Sequence, residues 1–390
     1  MGILKLLLRN ATVLLPSGFQ PATDVLVEDR TIARVGREID AGAQVFDATG
    51  KLIAPGFIDI HIHGAAGAMC ESADPAQVRG IAAALARFGV TGFLATLATM
   101  PAKELRSAVA AIAKVIDQES GARILGIHLE GPYLSKWRAG AQAVPFMRPP
   151  SVAEVDELQE IAGGRIRLVT IAPETEGALE LIGALRDRGI AASIGHSNAS
   201  TDEMLAGVGA GATHVTHLFN AMRELHHREP GPIGVGLTED ALSVELICDG
   251  HHLHPRIVDL AFRAKPDGKV VMVSDAVAAL GLPDGWCEMF GVVCIISGGA
   301  VRLRDGGNLA GSCLSLDRAV RNVHGWLPHL PLERILRAAS TAPAAVIGEE
   351  VTGEIAEGKA ADLVVLDDRL EVATTLVRGK WIGPMPRTEA

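Results

Sequence analysis

Two histidines one residue apart, His61 and His63, close an apolar run that begins at Phe57. Side chains alternate between the faces of a strand, so positions i and i+2 point the same way and both rings can meet one metal ion. The same ending recurs along the chain, where Glu130, His196, His217, Asp249 and Asp275 each finish an otherwise apolar run. Imidazole and carboxylate ligate zinc and other divalent first-row metals, and His61, His63, Glu130, His196, His217 and Asp275 together exceed one tetrahedral shell. The expectation is a divalent ion, zinc first and iron, manganese or cobalt also suited, with one or two ions per subunit. A lone His-x-His pair is more often structural than ligating, but that explanation does not stretch to six such residues at strand ends. Divalent metals activate water and polarise carbonyl groups, so hydrolysis is the chemistry this set prepares for.

These residues need a scaffold that brings separate strand ends together. Between residues 56 and 350, apolar strand-like runs alternate with amphipathic helical stretches, the signature of βα units and a parallel sheet. Eight such strands are expected, at 57–63, 90–97, 123–130, 167–173, 191–196, 212–217, 243–249 and 269–275. Apolar spacings of three and four predict helices at 76–87, 102–118, 152–161 and 177–188. Eight strands fit a closed, TIM-like (β/α)8 barrel, in which the active site lies at the C-terminal ends of the strands. The polar endings would then converge on one mouth. The termini read differently: short β-prone runs at 4–8, 12–15, 24–27 and 31–35 are matched by 353–355, 361–366 and 374–377. Residues 1–55 and 351–390 are therefore expected to form one small β-sandwich domain beside a catalytic barrel of residues 56–350.

The chain has 390 residues, 48% of them apolar, enough for a large core, and a formal net charge of -10. That acidic balance argues against a nucleic-acid-binding surface, and an anionic substrate would need a local cluster of positive groups. The apolar start of the chain is interrupted by Arg9 and Asn10 and lacks a small-residue cleavage site, so it reads as a strand and not as a signal peptide. No window approaches the roughly 20 apolar residues that cross a bilayer. The five cysteines are odd in number and lack CxxC spacing, which suggests neither a disulfide framework nor a structural zinc site. A cytoplasmic protein with a small-molecule substrate and no membrane partner is expected.

Seven stretches in order resemble the N-acetylglucosamine-6-phosphate deacetylases, a branch of the amidohydrolase superfamily. They are Pro55-Gly56-Phe57-Ile58-Asp59-Ile60-His61-Ile62-His63-Gly64, His128-Leu129-Glu130-Gly131-Pro132-Tyr133, Gly195-His196-Ser197-Asn198-Ala199, Thr216-His217-Leu218-Phe219-Asn220-Ala221-Met222, Arg228-Glu229-Pro230-Gly231, Ser274-Asp275-Ala276 and Leu309-Ala310-Gly311-Ser312. The resemblance implies hydrolysis of an N-acetyl-amino-sugar 6-phosphate to acetate and free amine. Glu130, His196 and His217 resemble the metal ligands found throughout that family, and His61 with His63 resembles members that hold a second ion. Related barrel hydrolases often carry a carboxylated lysine after the fourth strand. Here 167–174 offers none, which leaves Glu130 as the shared ligand.

By the same resemblance Asp275 takes a proton from the attacking water and delivers it to the departing amine, which leaves poorly unless protonated. His252 resembles the histidine that hydrogen-bonds the substrate carbonyl. Arg228 resembles a phosphate-binding arginine that reaches across a homodimer interface, its guanidinium suited to a bidentate grip. Ala141, Gln142, Asn220, Ala221, Asp249, Leu309, Ala310 and Gly311 match substrate-contacting positions, although Asp249 reads equally as a structural cap. His226, His227, His251 and His254 read as bystanders. One departure is chemical: glutamine, which cannot become cationic, stands at Gln142 where the family usually has histidine. Gln142 leaves open a different N-acyl amino sugar, or an N-acyl amino acid, on the same metal chemistry. A silent barrel used as a scaffold would have little reason to keep Asp275 and all five other candidate ligands. The stretch 64–72 has no account from sequence alone.

Overall fold

The computed structural model describes residues 5–118, 121–289, 292–305 and 307–382. Eight parallel strands lie in chain order: Phe57–Ile62, Val90–Leu97, Arg123–Glu130, Ile166–Ile171, Ala191–Ile194, His214–Val215, Ser243–Ile247 and Val270–Val273. The first and last meet where Ile62 bridges Ala276, with Asp275 N donating to His61 O at 2.9 Å and His63 N to Ala276 O at 2.8 Å. The sheet is thus a (β/α)8 barrel, and its seam lies among the candidate site residues.

Four of the intervening helices occupy the expected places, at Pro75–Ala86, Ala102–Ala113, Val152–Ile161 and Ala178–Asp187. Their starts are fixed locally, for example by Asp74 accepting from Ala76 N and Ser151 from Glu154 N, which satisfies amides that the first turn leaves unpaired. The second helix stops at Ala113, five residues before its expected end at Gln118. There Val115 N turns to Ile112 O in a tighter i to i−3 bond. The first barrel strand and the last four end before the polar residue that was expected to close them. His196, His217 and Asp275 take left-handed backbone conformations, with φ of 46°, 29° and 48°, which turn each side chain out of the ladder.

Both ends of the chain share one eight-stranded sheet. Lys5–Leu15 is a single strand where two were expected; Asn10, at φ 61°, absorbs a bulge instead of ending it. The first half of this strand pairs with Gln44–Asp47 and the second with Leu52–Ile53, and Leu363–Leu366 then pairs with Leu52–Pro55. A separate core, including Leu8, Val13, Val25, Ile53, Leu363 and Val365, fills it. The expected strand at 353–355 is a loop: Gly353, at φ 91°, packs so closely that a Cβ there would sit 2.7 Å from Ala344 Cβ. Leu4, the start of the first expected run, lies outside the described residues.

Sequence periodicity missed a four-stranded antiparallel sheet between the last barrel strand and the following helix, formed by Gly285–Met289, Val292–Ser297, Ala300–Leu303 and Leu309–Ser312. Its final strand returns to the barrel, where Ala276 bridges Ser312. Among the described residues, no helix is long and apolar enough to cross a membrane.

Candidate metal centre and active site

The strand-end side chains meet as two clusters, His61, His63 and Asp275 in one and Glu130, His196 and His217 in the other. Glu130, at the end of the third strand, stands between them. Its Oε1 lies 3.0 Å from His196 Nε2, 3.1 Å from His217 Nε2 and 3.5 Å from His61 Nε2, and its Oε2 lies 3.1 Å from His63 Nε2. Asp275 Oδ1 is 3.5 Å from the Nε2 atoms of both His61 and His63. All four imidazoles therefore aim the same ring nitrogen at one carboxylate.

That arrangement fits divalent ions. The Nε2 atoms of His196 and His217 face each other at 3.1 Å, and His61 Nε2 is buried without a hydrogen-bond partner. Ring nitrogens crowded in this way, against two carboxylates, need positive charge between them. The titration behaviour says the same. Burial opposes a charge on His63, yet Glu71 and Glu130 overcome it and raise its pKa to about 10. His61 is likewise raised, against burial, by Glu245, Glu130 and Asp275. Burial would push Glu130 up, but His61, His196 and His217 hold it well below the ordinary carboxylate range. In the absence of a metal the cavity holds protons; a divalent ion supplies the same charge and displaces them.

The backs of the rings are fixed differently. His61 Nδ1 pairs with Glu245 Oε2 at 2.9 Å and His63 Nδ1 with Glu71 Oε1 at 2.7 Å. His196 Nδ1 donates to Arg138 O at 3.0 Å, whereas His217 Nδ1 has no partner. Glu71 and Glu245 escaped the sequence reading. A lone carboxylate inside the buried run Ser243–Ile247 was a usable signal for Glu245, since a buried charge demands partners. His128 also faces inward, but Thr96 and Thr170 hold its ring and it belongs to neither cluster.

Above the clusters opens a cavity of about 450 Å³. Ala141, Gln142, Asn220, Ala221, His252, Leu309, Ala310 and Gly311 all line it, as do Glu130, His63, His196, His217 and Asp275. Gln142 Nε2 donates to Glu130 Oε2 at 2.5 Å, and its Oε1 accepts from Thr99 N at 2.7 Å. Asp249 is not in the wall. Its carboxylate accepts from His251 N, His252 N and His252 Nδ1, so it acts as a cap that orients His252. This pair raises the His252 pKa against the effect of burial. Arg228 is not in the wall either; it is exposed, with Nη1 2.8 Å from His227 Nε2. The wall contains no lysine or arginine among the described residues. His254 caps the helix Pro255–Ala264 and His251 lies 3.2 Å from Gly298 O, in keeping with structural roles.

A family model described as the amidohydrolase family matches residues 52–382. The chain is 35% identical over 384 residues, 97% of this chain and 98% of the other, to N-acetylglucosamine-6-phosphate deacetylase of Lysinibacillus sphaericus. It is 36% identical over 375 residues, 96% of this chain and 98% of the other, to N-acetylgalactosamine-6-phosphate deacetylase of Escherichia coli O157:H7. Among solved structures it is similar to a mutant N-acetyl-D-glucosamine-6-phosphate deacetylase of Mycobacterium smegmatis in complex with N-acetyl-D-glucosamine-6-phosphate. That match has a TM-score of 0.90 and 33% identity, covering 98% of this chain and 100% of the other.

Proposed function

We infer the function from a premise that the comparisons establish: this chain belongs to the amidohydrolase family, in the branch of the N-acetylglucosamine-6-phosphate deacetylases. The reaction is hydrolysis of N-acetyl-D-glucosamine 6-phosphate to D-glucosamine 6-phosphate and acetate. The observation that carries it is the convergence, in one cavity, of Asp275, His252 and two clusters of metal-ligand type around Glu130.

We propose zinc as the metal, held by Glu130, His196 and His217, with a second ion at His61, His63 and Asp275; when bound, it supplies the Lewis acidity that activates water and carbonyl. Asp275 accepts a proton from the attacking water on a carboxylate oxygen and passes it to the amide nitrogen as the carbon–nitrogen bond breaks. His252, with Nδ1–H engaged by Asp249, directs Nε2 into the cavity toward the substrate carbonyl oxygen. Only the imidazolium form donates from both nitrogens, and Asp249 favours that form. Gln142, the backbone of 309–311, Asn220 and Ala221 shape the sugar pocket.

Among the described residues the cavity wall brings no lysine or arginine to a phosphate. We therefore assign that role to Arg228 of a second copy, in a homodimer. A cytoplasmic setting and the division of the chain into 1–55 with 351–390 and 56–350 belong to the same proposal. The test is acetate release by zinc-reconstituted protein from N-acetylglucosamine 6-phosphate, its galacto epimer and the unphosphorylated sugar. Fast turnover of a phosphorylated sugar alone is expected, and the relative from Escherichia coli makes the epimer a necessary arm. Equal turnover with and without phosphate, or none, would sink the reading and mark Gln142 as the sign of another substrate.

A further inference from the structure

Residues 64–72, for which the sequence offers no role, form a strap that folds straight back from the first barrel strand. Gly64–Ala65 pairs with Ala68–Met69, and Cys70 N donates to His63 O at 2.7 Å. Gly64 makes this return possible, since a Cβ there would lie 2.3 Å from Ala68 O. The strap ends in a short 3-10 turn, Cys70–Ser72, that delivers Glu71 behind the ring of His63. Glu71 Oε1 accepts a hydrogen bond from His63 Nδ1 at 2.7 Å and a second from Ala98 N at 3.2 Å, and the side chain is only 10% exposed. A second buried carboxylate does the same for the neighbouring ring: Glu245, fully buried, holds His61 Nδ1 at 2.9 Å and is itself fixed by His214 Nε2 at 3.0 Å and His217 N at 3.0 Å.

An imidazole whose Nδ1–H donates a hydrogen bond to a carboxylate is locked in one tautomer and one orientation, and its Nε2 lone pair becomes more basic. The second cluster has no such backing, since His196 leans on a peptide carbonyl and His217 Nδ1 on nothing. We propose that Glu71 and Glu245 are positioning residues that make the His61, His63 and Asp275 cluster a tight ion site in its own right, with Glu71 and its strap dedicated to that purpose. This rests on the two-ion reading above.

The experiment reads metal retention, which an effect on turnover alone does not move. Wild-type protein, Glu71→Ala, Glu71→Gln and Glu245→Gln are equilibrated with buffered free zinc and a competing chelator, and bound zinc per chain is measured by elemental analysis. Loss of an orienting partner costs about 10–100-fold in metal affinity. The expected result is two ions on the wild type, one of them weakened about 10–100-fold in Glu71→Ala and the other unchanged. Glu71→Gln keeps the acceptor oxygen without the charge and falls between; being isosteric, it also serves if removal of the side chain unsettles the strap. Glu245→Gln weakens the same ion and, because Glu245 also holds His217 N, is not expected to spare the other. Equal zinc retention by the wild type and both Glu71 variants overturns the proposal while leaving the two-ion reading intact. Fewer than two ions on the wild type overturns the two-ion reading itself.

Discussion

His61 lies in the first strand and His63 directly follows it, and each is backed by a buried carboxylate, whereas His196 and His217 follow two different strands, occupy left-handed backbone conformations and are backed by a carbonyl or by nothing. The first pair is held by charge and hydrogen bonds from outside the strand; the second is held by the backbone itself. A left-handed conformation costs a non-glycine residue on the order of 1–3 kcal/mol, which the surrounding barrel must offset. Glu130 belongs to both arrangements and joins them. Two ways of fixing a candidate ligand have met at one barrel mouth, and they should fail differently.

The largest expected effect separates ligands of the two kinds. His217→Ala should reduce turnover to background, while His63→Ala should leave one ion bound and measurable residual activity; similar residual rates in the two would erase the distinction. Next comes Asp275→Asn, expected to lower kcat about 10²–10⁴-fold, the usual worth of a positioned acid–base group. His252→Ala should follow at about 10²–10³-fold if its Nε2–H stabilises developing charge on the carbonyl oxygen. The pH profile sharpens that point. His252 has a pKa raised by Asp249 against the effect of burial, so the doubly protonated ring persists to higher pH than in a free imidazole and is lost as pH rises through that pKa. Asp249→Asn removes the charge that sustains it, and the alkaline limb of kcat/KM should move to lower pH. An unmoved limb would remove His252 from the account.

Smaller effects concern phosphate and stability. Arg228→Ala should lower kcat/KM for the phosphorylated sugar by about 10–100-fold, in line with charged hydrogen bonds worth about 1.5–3 kcal/mol, and should leave the unphosphorylated sugar unaffected. For the metal-free protein the sign follows from His63, whose pKa rises from 6.5 to about 10 on folding. That contribution is complete below pH 6.5 and is lost as pH climbs toward 10. Thermal melts of metal-free protein should therefore fall across this interval. Zinc-loaded protein, its rings already occupied, should not follow.

The comparison also explains what the sequence disclosed. Every barrel strand was visible as an apolar run, because strands buried on both faces tolerate little else. The candidate ligands were visible because polar residues at the ends of such runs are conspicuous. The missing pieces depend on return paths through space. Glu71 lies in a strap with no periodicity, and its meaning comes from folding back on His63. The sheet of Gly285–Met289, Val292–Ser297, Ala300–Leu303 and Leu309–Ser312 has mixed exposure, with Trp286 69% exposed, and so lacked the apolar signature of the barrel. Strand ends were overestimated at His196, His217 and Asp275 for one reason: a left-handed turn leaves no trace in residue type when the residue is not glycine. Arg228 was legible as an arginine in a matching stretch, yet its place outside its own cavity required the fold.

The central claim is metal-dependent amide hydrolysis centred on Asp275. Its most direct test strips the protein with a chelator, titrates zinc back and follows acetate released from N-acetylglucosamine 6-phosphate alongside bound zinc per chain. The account predicts that activity returns in step with zinc, and that Asp275→Asn stays about 10²–10⁴-fold slower while the Glu130, His196 and His217 cluster still takes up its ion. Undiminished turnover after stripping, or full activity in Asp275→Asn, would contradict it.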